Sequence, residues 1–438
     1  MVEATMRGSR RMICRVVRSF PLRAASLALA ASAAAVPARA QHLVVPMDGA
    51  QTNHLKAYGL TYWTLTQGEE AEWLLNYRGG AFLLSDREGV RREAALRGIA
   101  FEPVNGADVA RIRAEIADAN METVILEKAP DIAVYTPEAA RPWDDAVTLA
   151  LSYAEIPYDR IWDPVVLDGR LNDYDWLHLH HEDFTGQYSK FYINYAGTAW
   201  LQEDIRRNEE VARRYGYPDV SALKKQVAAR IRDYVAQGGF LFAMCTATET
   251  VELAMAAEDA DIAAAFSDGS PMDPNASQRM RWELAMAFED AVLQTNPGVS
   301  AFSDIDGHQV NTPWREPLGA FTLFDFSAKF DPVPSMLTQN HESVIPDYYG
   351  LTTSFRRDRL KPGVTVLAEE EGDPWTKYIH GSFGEGTWTY LGGHDPEDPQ
   401  HQIGDVPTDL DLHRHSPGYR LILNNVLFPA ARKKTLKT

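Results

Sequence analysis

The stretch Gly238-Gly239-Phe240-Leu241-Phe242-Ala243-Met244-Cys245-Thr246-Ala247-Thr248-Glu249 joins a glycine pair, an apolar strand and a small-residue turn that opens a helix. This order is typical of a nucleophile elbow, which lifts the reactive atom above the end of a strand. The helix dipole at that point lowers the pKa of a thiol. The alternative is a buried structural cysteine, since free cysteines are among the most buried residues. The stretch makes Cys245 a candidate nucleophile and leaves both interpretations open.

Residues 1–40 have the pattern of a secretory signal peptide. An arginine-rich segment is followed by the apolar run 24–36 and by Ala38-Arg39-Ala40, which matches an A-x-A cleavage site. Cleavage near Ala40 removes Cys14, so Cys245 is the one cysteine left in the mature chain. The pair Arg10-Arg11 also fits a twin-arginine signal, and the export route stays open. We therefore predict a periplasmic or secreted protein.

The net charge excludes two classes of partner. The full chain carries −18, and removing the seven arginines and one glutamate of residues 1–40 takes the mature chain to −24. An acidic surface of this size repels nucleic acid and anionic membranes. No later apolar run has the length of a bilayer span. The sequence predicts no nucleic-acid partner and no membrane span, and it leaves the oligomeric state open.

Two regions follow the signal. Residues 41–129 mix helical and strand patterns and predict a small α/β module. From residue 130 to residue 432, strands alternate with helices, which predicts a parallel sheet with helices on both faces. Residues 258–345 break this alternation and predict an inserted lid. The strands of the second region are predicted at 132–135, 158–162, 175–180, 240–244, 364–369, 376–383 and 387–391.

Two chemically active side chains follow strands of the predicted sheet. Cys245 and His394 each come just after a strand, and the carboxyl ends of parallel strands form the ligand site in folds of this kind. A thiol nucleophile needs an imidazole that takes its proton and a carboxylate that orients the imidazole. The sequence therefore predicts a catalytic pair whose orienting carboxylate comes from Asp395, Glu397 or Glu182.

Further residues are candidates for binding the substrate around this pair. The backbone N–H of Thr246 and one from the turn at residues 181–182 are candidates for stabilising an oxyanion. The predicted substrate-binding residues are His180, His181, Asp183, Thr246 and Tyr188. The histidines are interpreted either as a hydrogen-bonded strand end that shapes the pocket or as ligands of Zn²⁺ or another divalent ion. The metal alternative uses His178, His180 and His394, whereas the leading interpretation needs no cofactor.

Two motifs carry a resemblance to a known family. The elbow around Cys245 and the segment Tyr390-Leu391-Gly392-Gly393-His394-Asp395-Pro396-Glu397 resemble the class I glutamine amidotransferase-like superfamily, with features of its ThuA-like branch. The resemblance covers about residues 130–432 apart from the insertion. It implies a flavodoxin-like fold, a cysteine on an elbow and a histidine after a late strand.

A second resemblance covers Trp143-Asp144-Asp145-Ala146-Val147 and the segment from Trp176 to Tyr188. These residues are similar to exported bacterial proteins labelled asparagine synthetase B. An asparagine synthetase of that type needs a catalytic cysteine directly after the initiator methionine, where this chain has Val2, and a nucleotide-binding loop that the sequence lacks. The sequence therefore does not predict ATP-dependent asparagine synthesis.

Together these features predict an exported Cys–His hydrolase or amidase. Its substrate would be a C–N or ester bond of a small or cell-envelope-derived molecule. A noncatalytic protein that binds carbohydrate or peptide is one alternative, since the aromatic residues of the loop at 184–200 could stack on a ligand. A metal-dependent hydrolase is the other.

Overall fold

The computed structural model describes residues 41–137, 145–307, 319–399 and 405–433, which form two β-sheets with helices around them. The predicted signal peptide lies outside these residues. All of the described residues belong to the unit Arg39–Thr438. No helix within the described ranges is long and apolar enough to cross a bilayer.

The first sheet occupies the region before residue 130. Its strands are β1 (His42–Val45), β2 (Ala71–Leu75), β3 (Ala81–Ser85), β4 (Glu102–Val104) and β5 (Glu122–Leu126). They lie in the order β4-β1-β3-β2-β5, and every pair is antiparallel. The helices of this region are α1 (His54–Thr66), α2 (Glu88–Arg97) and α3 (Gly106–Asp118).

Helix α1 is buried on almost all sides. The side chain of Asn53 caps its first turn by accepting a hydrogen bond from the backbone N–H of Lys56. Gly59 lies where the helix meets the segment at residue 154, and a Cβ atom at this glycine would lie 1.8 Å from the carbonyl oxygen of Ala154. A residue without a side chain is therefore required for this close approach.

We expect Gly59→Ala to lower the free energy of unfolding by at least about 3 kcal/mol, the upper end of the penalty for overpacking a core. The backbone of Ala154 leaves no room for the added methyl group. Urea unfolding followed by circular dichroism measures the effect. Gly49→Ala is the matched control, because nothing lies within 4 Å of a Cβ atom at Gly49. Equal stability of the two variants would contradict the prediction.

The second sheet is the larger one. Its strands are β6 (Ile132–Tyr135), β7 (Asp159–Ile161), β8 (Trp176–Leu179), β9 (Phe240–Met244), β10 (Ala320–Leu323), β11 (Val344–Pro346), β12 (Phe355–Arg356), β13 (Thr365–Glu370), β14 (Trp375–Phe383) and β15 (Gly386–Leu391). Nine of them follow the order β11-β10-β13-β14-β15-β9-β8-β6-β7, and β12 pairs with β14. The strands β15, β9, β8, β6 and β7 are parallel to one another.

The other half of this sheet is antiparallel, so the prediction of an all-parallel sheet needs correction. Strands β10, β11, β13 and β14 pair antiparallel, and β14 pairs antiparallel with β15. The turn between β14 and β15 explains the antiparallel pairing. Phe383 of β14 pairs with Gly386 of β15, and only Gly384 and Glu385 separate them. A two-residue connection can join only antiparallel strands. The sheet is therefore mixed.

Helices cover both faces of the parallel half. The remaining helices are α4 (Ala146–Tyr153), α5 (Asp163–Leu167), α6 (Tyr192–Tyr195), α7 (Ala199–Tyr215), α8 (Val220–Ala236), α9 (Ala247–Ala256), α10 (Ala265–Asp268), α11 (Ala276–Arg279), α12 (Pro332–Leu337) and α13 (Pro417–Leu427). Alternate residues of β9 face opposite sides. Phe242 packs in the core with α4 and α13, whereas Leu241 packs in the core with α8 and α9. This two-sided burial explains the continuous apolar run of β9.

The predicted insertion packs against the sheet domain. Glu252 of α9 is buried and accepts hydrogen bonds from the backbone N–H groups of Met286 (2.8 Å) and Ala287 (3.0 Å). Phe288 and Phe302 are buried in the same core as α9. Strands β10 and β11 of this segment extend the edge of the large sheet.

One core joins the first sheet to the second. It contains Tyr58 of α1 together with Phe242 of β9 and Tyr419 of α13. Arg420 of α13 is fully buried and donates to the hydroxyl of Tyr58 (3.1 Å) and the carbonyl of Met47 (2.9 Å). The regions 41–129 and 130–432 therefore bury their apolar faces against each other.

Candidate functional site

The carboxyl ends of β8, β9 and β15 bring the predicted site residues to one edge of the sheet. His180 follows β8, Cys245 follows β9, and His394 lies three residues after β15. Backbone hydrogen bonds connect the three ends, from the N–H of Ala247 to the carbonyl of His180 (2.9 Å) and from the N–H of Cys245 to the carbonyl of Gly393 (3.2 Å). The expected convergence of strand ends is therefore present.

Cys245 has the backbone geometry of an elbow. Its φ is +49°, a left-handed value that is rare for a residue with a side chain. The residue is 1% exposed, and its Sγ lies 3.7 Å from the hydroxyl of Thr246. Burial raises the pKa of the Cys245 thiol, although the backbone N–H groups of Leu351 and Thr352 donate to the sulfur and favour the thiolate.

A loop formed by residues 347–353 covers the thiol. A Cβ atom at Gly350 would lie 3.2 Å from the Sγ of Cys245, so this glycine leaves just enough room for the sulfur. The carbonyl of Tyr349 accepts the backbone N–H of His394 (2.9 Å). Buried Lys377 anchors the loop through the carboxylate of Asp347 (2.7 Å) and the carbonyl of Tyr348 (2.6 Å). A substrate reaches Cys245 only if this loop moves.

His178 of β8 and His180, just after the strand, form a hydrogen-bonded relay. Nδ1 of His178 lies 3.0 Å from the carbonyl oxygen of Phe242, and Nε2 of His178 lies 3.3 Å from Nδ1 of His180. A carbonyl only accepts, so Nδ1 of His178 carries the proton and its Nε2 accepts from His180. Both rings are completely buried. The relay leaves Nε2 of His180 with a lone pair and without a hydrogen-bond partner among the described residues.

This lone pair faces two more imidazoles. His180, His181 and His394 each offer a ring nitrogen, and the three atoms lie within 4.8 Å of one another. The ring centroids of His180 and His394 are 4.5 Å apart. Burial lowers the pKa of His180 well below its usual value, so this imidazole is neutral at neutral pH. We call His180, His181 and His394 the histidine cluster.

Asp145, at the start of helix α4, lies next to His178 and His180. Its carboxylate caps α4 by accepting from the backbone N–H groups of Val147 (2.7 Å) and Thr148 (3.1 Å). The same carboxylate lies 3.4 Å from Nδ1 of His180 and 3.5 Å from Nε2 of His178. This role of Asp145 was not predicted from the sequence. A signal was present, because an aspartate before a helix that follows a parallel strand falls at the ligand edge.

The three carboxylates predicted to orient His394 have other contacts. Asp395 accepts from the hydroxyl of Tyr419 (2.9 Å) and from backbone N–H groups of its own loop. Glu397 lies 2.8 Å from Nδ1 of His413. Glu182 accepts the backbone N–H of His180 (2.9 Å), and burial raises its pKa.

The remaining predicted binding residues divide into two groups. Asp183 orders its own turn, since it accepts from the N–H (2.7 Å) and hydroxyl (2.6 Å) of Thr185 and from the N–H of Ser189 (2.8 Å). Tyr188 lines a cavity next to His181, and Thr246 lies beside the thiol.

Glu249 connects helix α9 to the insertion and to the loop at residues 347–353. Its carboxylate accepts hydrogen bonds from the hydroxyls of Ser303 (2.6 Å) and Thr352 (3.2 Å). Burial raises the pKa of Glu249 to about 7, although the two hydroxyl donors act to lower it. The folded protein therefore holds this carboxyl protonated in a pH range where the unfolded chain ionises it.

We expect Glu249 to make stability depend on pH. Its stabilising contribution is complete below the unfolded pKa of 4.5 and is lost as the pH rises through about 7. The shift corresponds to a loss of about 3 kcal/mol of unfolding free energy. Urea unfolding between about pH 4 and about pH 8 should show a shallower decline in Glu249→Gln than in the wild type. Parallel profiles for the two proteins would refute this role.

Comparison with known proteins adds little about activity. No family model matches the chain, and no curated protein matches it. Among solved structures, Cytoplasmic Protein STM1381 from Salmonella typhimurium LT2 is 13% identical, with a TM-score of 0.34 and coverage of 69% of this chain and 100% of that one. Cytoplasmic Protein STM3548 from Salmonella typhimurium is 12% identical, with a TM-score of 0.32 and coverage of 72% and 91%. A beta-galactosidase from Bacillus circulans sp. alkalophilus is 12% identical, with a TM-score of 0.29 and coverage of 67% and 32%. Likenesses this loose carry no functional argument.

Proposed function

We propose that this protein is a metal-dependent hydrolase whose centre is the histidine cluster. The observation that carries the proposal is the convergence of ring nitrogens from His180, His181 and His394 within 4.8 Å. Three imidazoles that leave a position for water are a ligand set typical of catalytic Zn²⁺. An ion held there would supply Lewis acidity and would activate water for attack on a C–N or ester bond.

The surrounding residues prepare the cluster for such an ion. The relay from the carbonyl of Phe242 through His178 fixes the tautomer of His180 and aims its Nε2 lone pair at the cluster. Asp145 lies close enough to stabilise this arrangement electrostatically. Hydrogen-bond partners of this kind orient metal-binding histidines and raise their basicity. Complete burial of His178 and His180 keeps competing water away from these rings.

Strand order supports a specific fold family as part of the proposal. The parallel half has the order β7-β6-β8-β9-β15, which in chain order is the flavodoxin-like arrangement 2-1-3-4-5. Cys245 after β9 and His394 after β15 fit the class I glutamine amidotransferase-like pattern. The export signal predicted at residues 1–40 favours a small or cell-envelope-derived substrate outside the cytoplasm.

The proposal is tested by measuring metal and hydrolysis in the same preparation. Elemental analysis of the protein from residue 41 onward should find close to one divalent ion per chain. A panel of amides and esters should be hydrolysed, and a chelator should remove that activity until Zn²⁺ is returned. Protein that purifies without stoichiometric metal, and binds added Zn²⁺ no better than His181→Ala does, would refute the proposal.

The elbow supports a second candidate, the Cys–His hydrolase. Its supporting observation is the left-handed backbone of Cys245 together with N–H donors from Leu351 and Thr352 at the sulfur. In this mechanism Cys245 attacks the carbonyl and His394 transfers the proton. Activity that survives chelation but is lost in Cys245→Ala would favour this candidate. Saturable binding of carbohydrate or peptide without any hydrolysis would favour the noncatalytic alternative.

A further inference from the structure

A second set of possible metal ligands lies on the other side of the His180 ring. Ligand atoms of Asp145, His178 and His180 lie within 4.8 Å of one another. The nitrogens of this set are Nε2 of His178 and Nδ1 of His180, whereas the histidine cluster faces Nε2 of His180. Both rings are 0% exposed and Asp145 is 7% exposed. We call Asp145, His178 and His180 the carboxylate site, which shares one ring with the histidine cluster but no ligand atom.

The spacing of the carboxylate site fits a tetrahedral ion. The two imidazole nitrogens are 3.3 Å apart. Oδ1 of Asp145 lies 3.4 Å from Nδ1 of His180, and Oδ2 lies 3.5 Å from Nε2 of His178. Ligands that bind Zn²⁺ at about 2.0–2.2 Å are about 3.3–3.6 Å apart in a tetrahedron. A hydrogen bond to a carboxylate is shorter, about 2.7–2.9 Å. Asp145 is therefore spaced as a ligand beside the two rings.

Asp145 also has an oxygen and a charge available for an ion. Its Oδ1 accepts the N–H groups of Val147 and Thr148, whereas its Oδ2 faces His178. Within the described ranges, the side chains that pair with this carboxylate are histidines, and no lysine or arginine does so. A buried carboxylate without a permanent cationic partner is unfavourable. A divalent ion would supply the missing positive charge.

The two imidazoles can complete the site with the loss of one proton. Nε2 of His178 already has a lone pair, because Nδ1 of His178 donates to the carbonyl of Phe242. Nδ1 of His180 carries the proton of the relay, so an ion bound there replaces this proton, which passes to solvent. When Nε2 of His180 also binds an ion, the ring is a bridging imidazolate. The carboxylate and the imidazolate together balance the charge of a divalent ion.

We infer that Asp145, His178 and His180 hold a second divalent ion, on the opposite side of the His180 ring from the histidine cluster. Two imidazoles and one carboxylate are a protein ligand set of Zn²⁺, and imidazole ligands do not suit Mg²⁺. Because this ion must displace a proton, it binds more weakly than the first and is added by titration rather than retained on purification.

The ring of His180 separates the two ions. They would therefore not share a bridging oxygen, as two-metal hydrolases do at about 3.5–4 Å. The second ion would instead fix the orientation of the shared ring. That this orientation assists hydrolysis rests on the proposed function, whereas the binding of an ion at the carboxylate site does not.

The test is calorimetric titration of Zn²⁺ into metal-free protein from residue 41 onward. The wild type should bind two ions per chain, and the second should release a proton, which repetition in buffers of different ionisation enthalpy measures. Asp145→Asn should weaken one event by at least about 100-fold, since even outer partners of a ligand cost about 10–100-fold. Asparagine caps a helix as well as aspartate does, so α4 keeps its first turn. Asp219→Asn, the same change at the cap of α8, should bind as the wild type does.

His181→Ala separates this inference from the proposed function. It removes a ligand of the histidine cluster but none of the carboxylate site, so it should retain one ion, which His181→Ala/Asp145→Asn should lose. Circular dichroism checks that each variant is folded. Equal binding by the wild type and Asp145→Asn, or no binding by His181→Ala, would overturn the inference. A single ion that the wild type and His181→Ala bind equally well, and Asp145→Asn does not, would support the carboxylate site while refuting the proposed function.

Discussion

Replacing His180 with alanine is expected to weaken Zn²⁺ binding by more than about 100-fold, since even outer partners of a metal ligand cost about 10–100-fold. Nε2 of His180 is the nitrogen whose lone pair the relay directs into the cluster. Metal-dependent hydrolysis should disappear with the ion. Calorimetric titration with Zn²⁺ measures affinity, and circular dichroism confirms that the variant is folded.

Two further variants separate ligation from simple loss of a ring. His178→Gln should weaken Zn²⁺ by about 10–100-fold, because it disturbs the partner of His180 without removing a ligand. His415→Ala is the control, since His415 is an exposed histidine that contacts His54 rather than the cluster. If His180→Ala and His415→Ala bind Zn²⁺ equally well, the histidine cluster is not a metal site.

Replacing Lys377 with alanine is expected to cost about 3–5 kcal/mol of unfolding free energy, the usual penalty for leaving one partner of a buried ion pair alone. Lys377 is 0% exposed and Asp347 is 5% exposed. The substitution also releases the loop at residues 347–353 from its anchor. Iodoacetamide should therefore modify Cys245 faster in the variant than in the wild type.

The matched control is Lys128→Ala. Lys128 pairs with Asp131 and Asp175 on the surface, where an ion pair contributes about 0–1 kcal/mol. The double variant Lys377→Met/Asp347→Leu should be more stable than Lys377→Ala, because it removes the unpaired charge. Urea unfolding measures all of these proteins. An effect of Lys377→Ala no larger than that of Lys128→Ala would refute the anchoring role.

The sequence predicted those features that follow from local patterns. The apolar strand before Cys245 and the glycine pair before His394 place both residues at strand ends, and parallel strands carry such ends to one edge. Contacts between segments far apart in the sequence do not follow from local patterns. Nothing local shows that Gly350 lies over the thiol or that Asn208 of α7 lines a cavity with His181. Those contacts depend on how distant segments pack.

Histidine roles illustrate the same limit. Alternation along a strand puts residues 178 and 180 on one face, and the metal alternative combined His178, His180 and His394. In the structure His178 lies behind His180 as its hydrogen-bond partner, and His181 takes the third place in the cluster. The strand β8 ends at Leu179, before these last two histidines. Once the strand ends, alternation no longer determines where His181 points.

The buried Arg420 has a consequence for folding during synthesis. It belongs to helix α13, yet its donors satisfy the hydroxyl of Tyr58 and the carbonyl of Met47, which lie 362 and 373 residues earlier in the chain. Ribosomes deliver these partners far apart in time, and contacts of such long sequence separation form slowly. The core between α1 and α13 therefore cannot form until α13 has been synthesised. A chain that is truncated before α13 should remain open to proteases and chaperones, because it lacks Arg420.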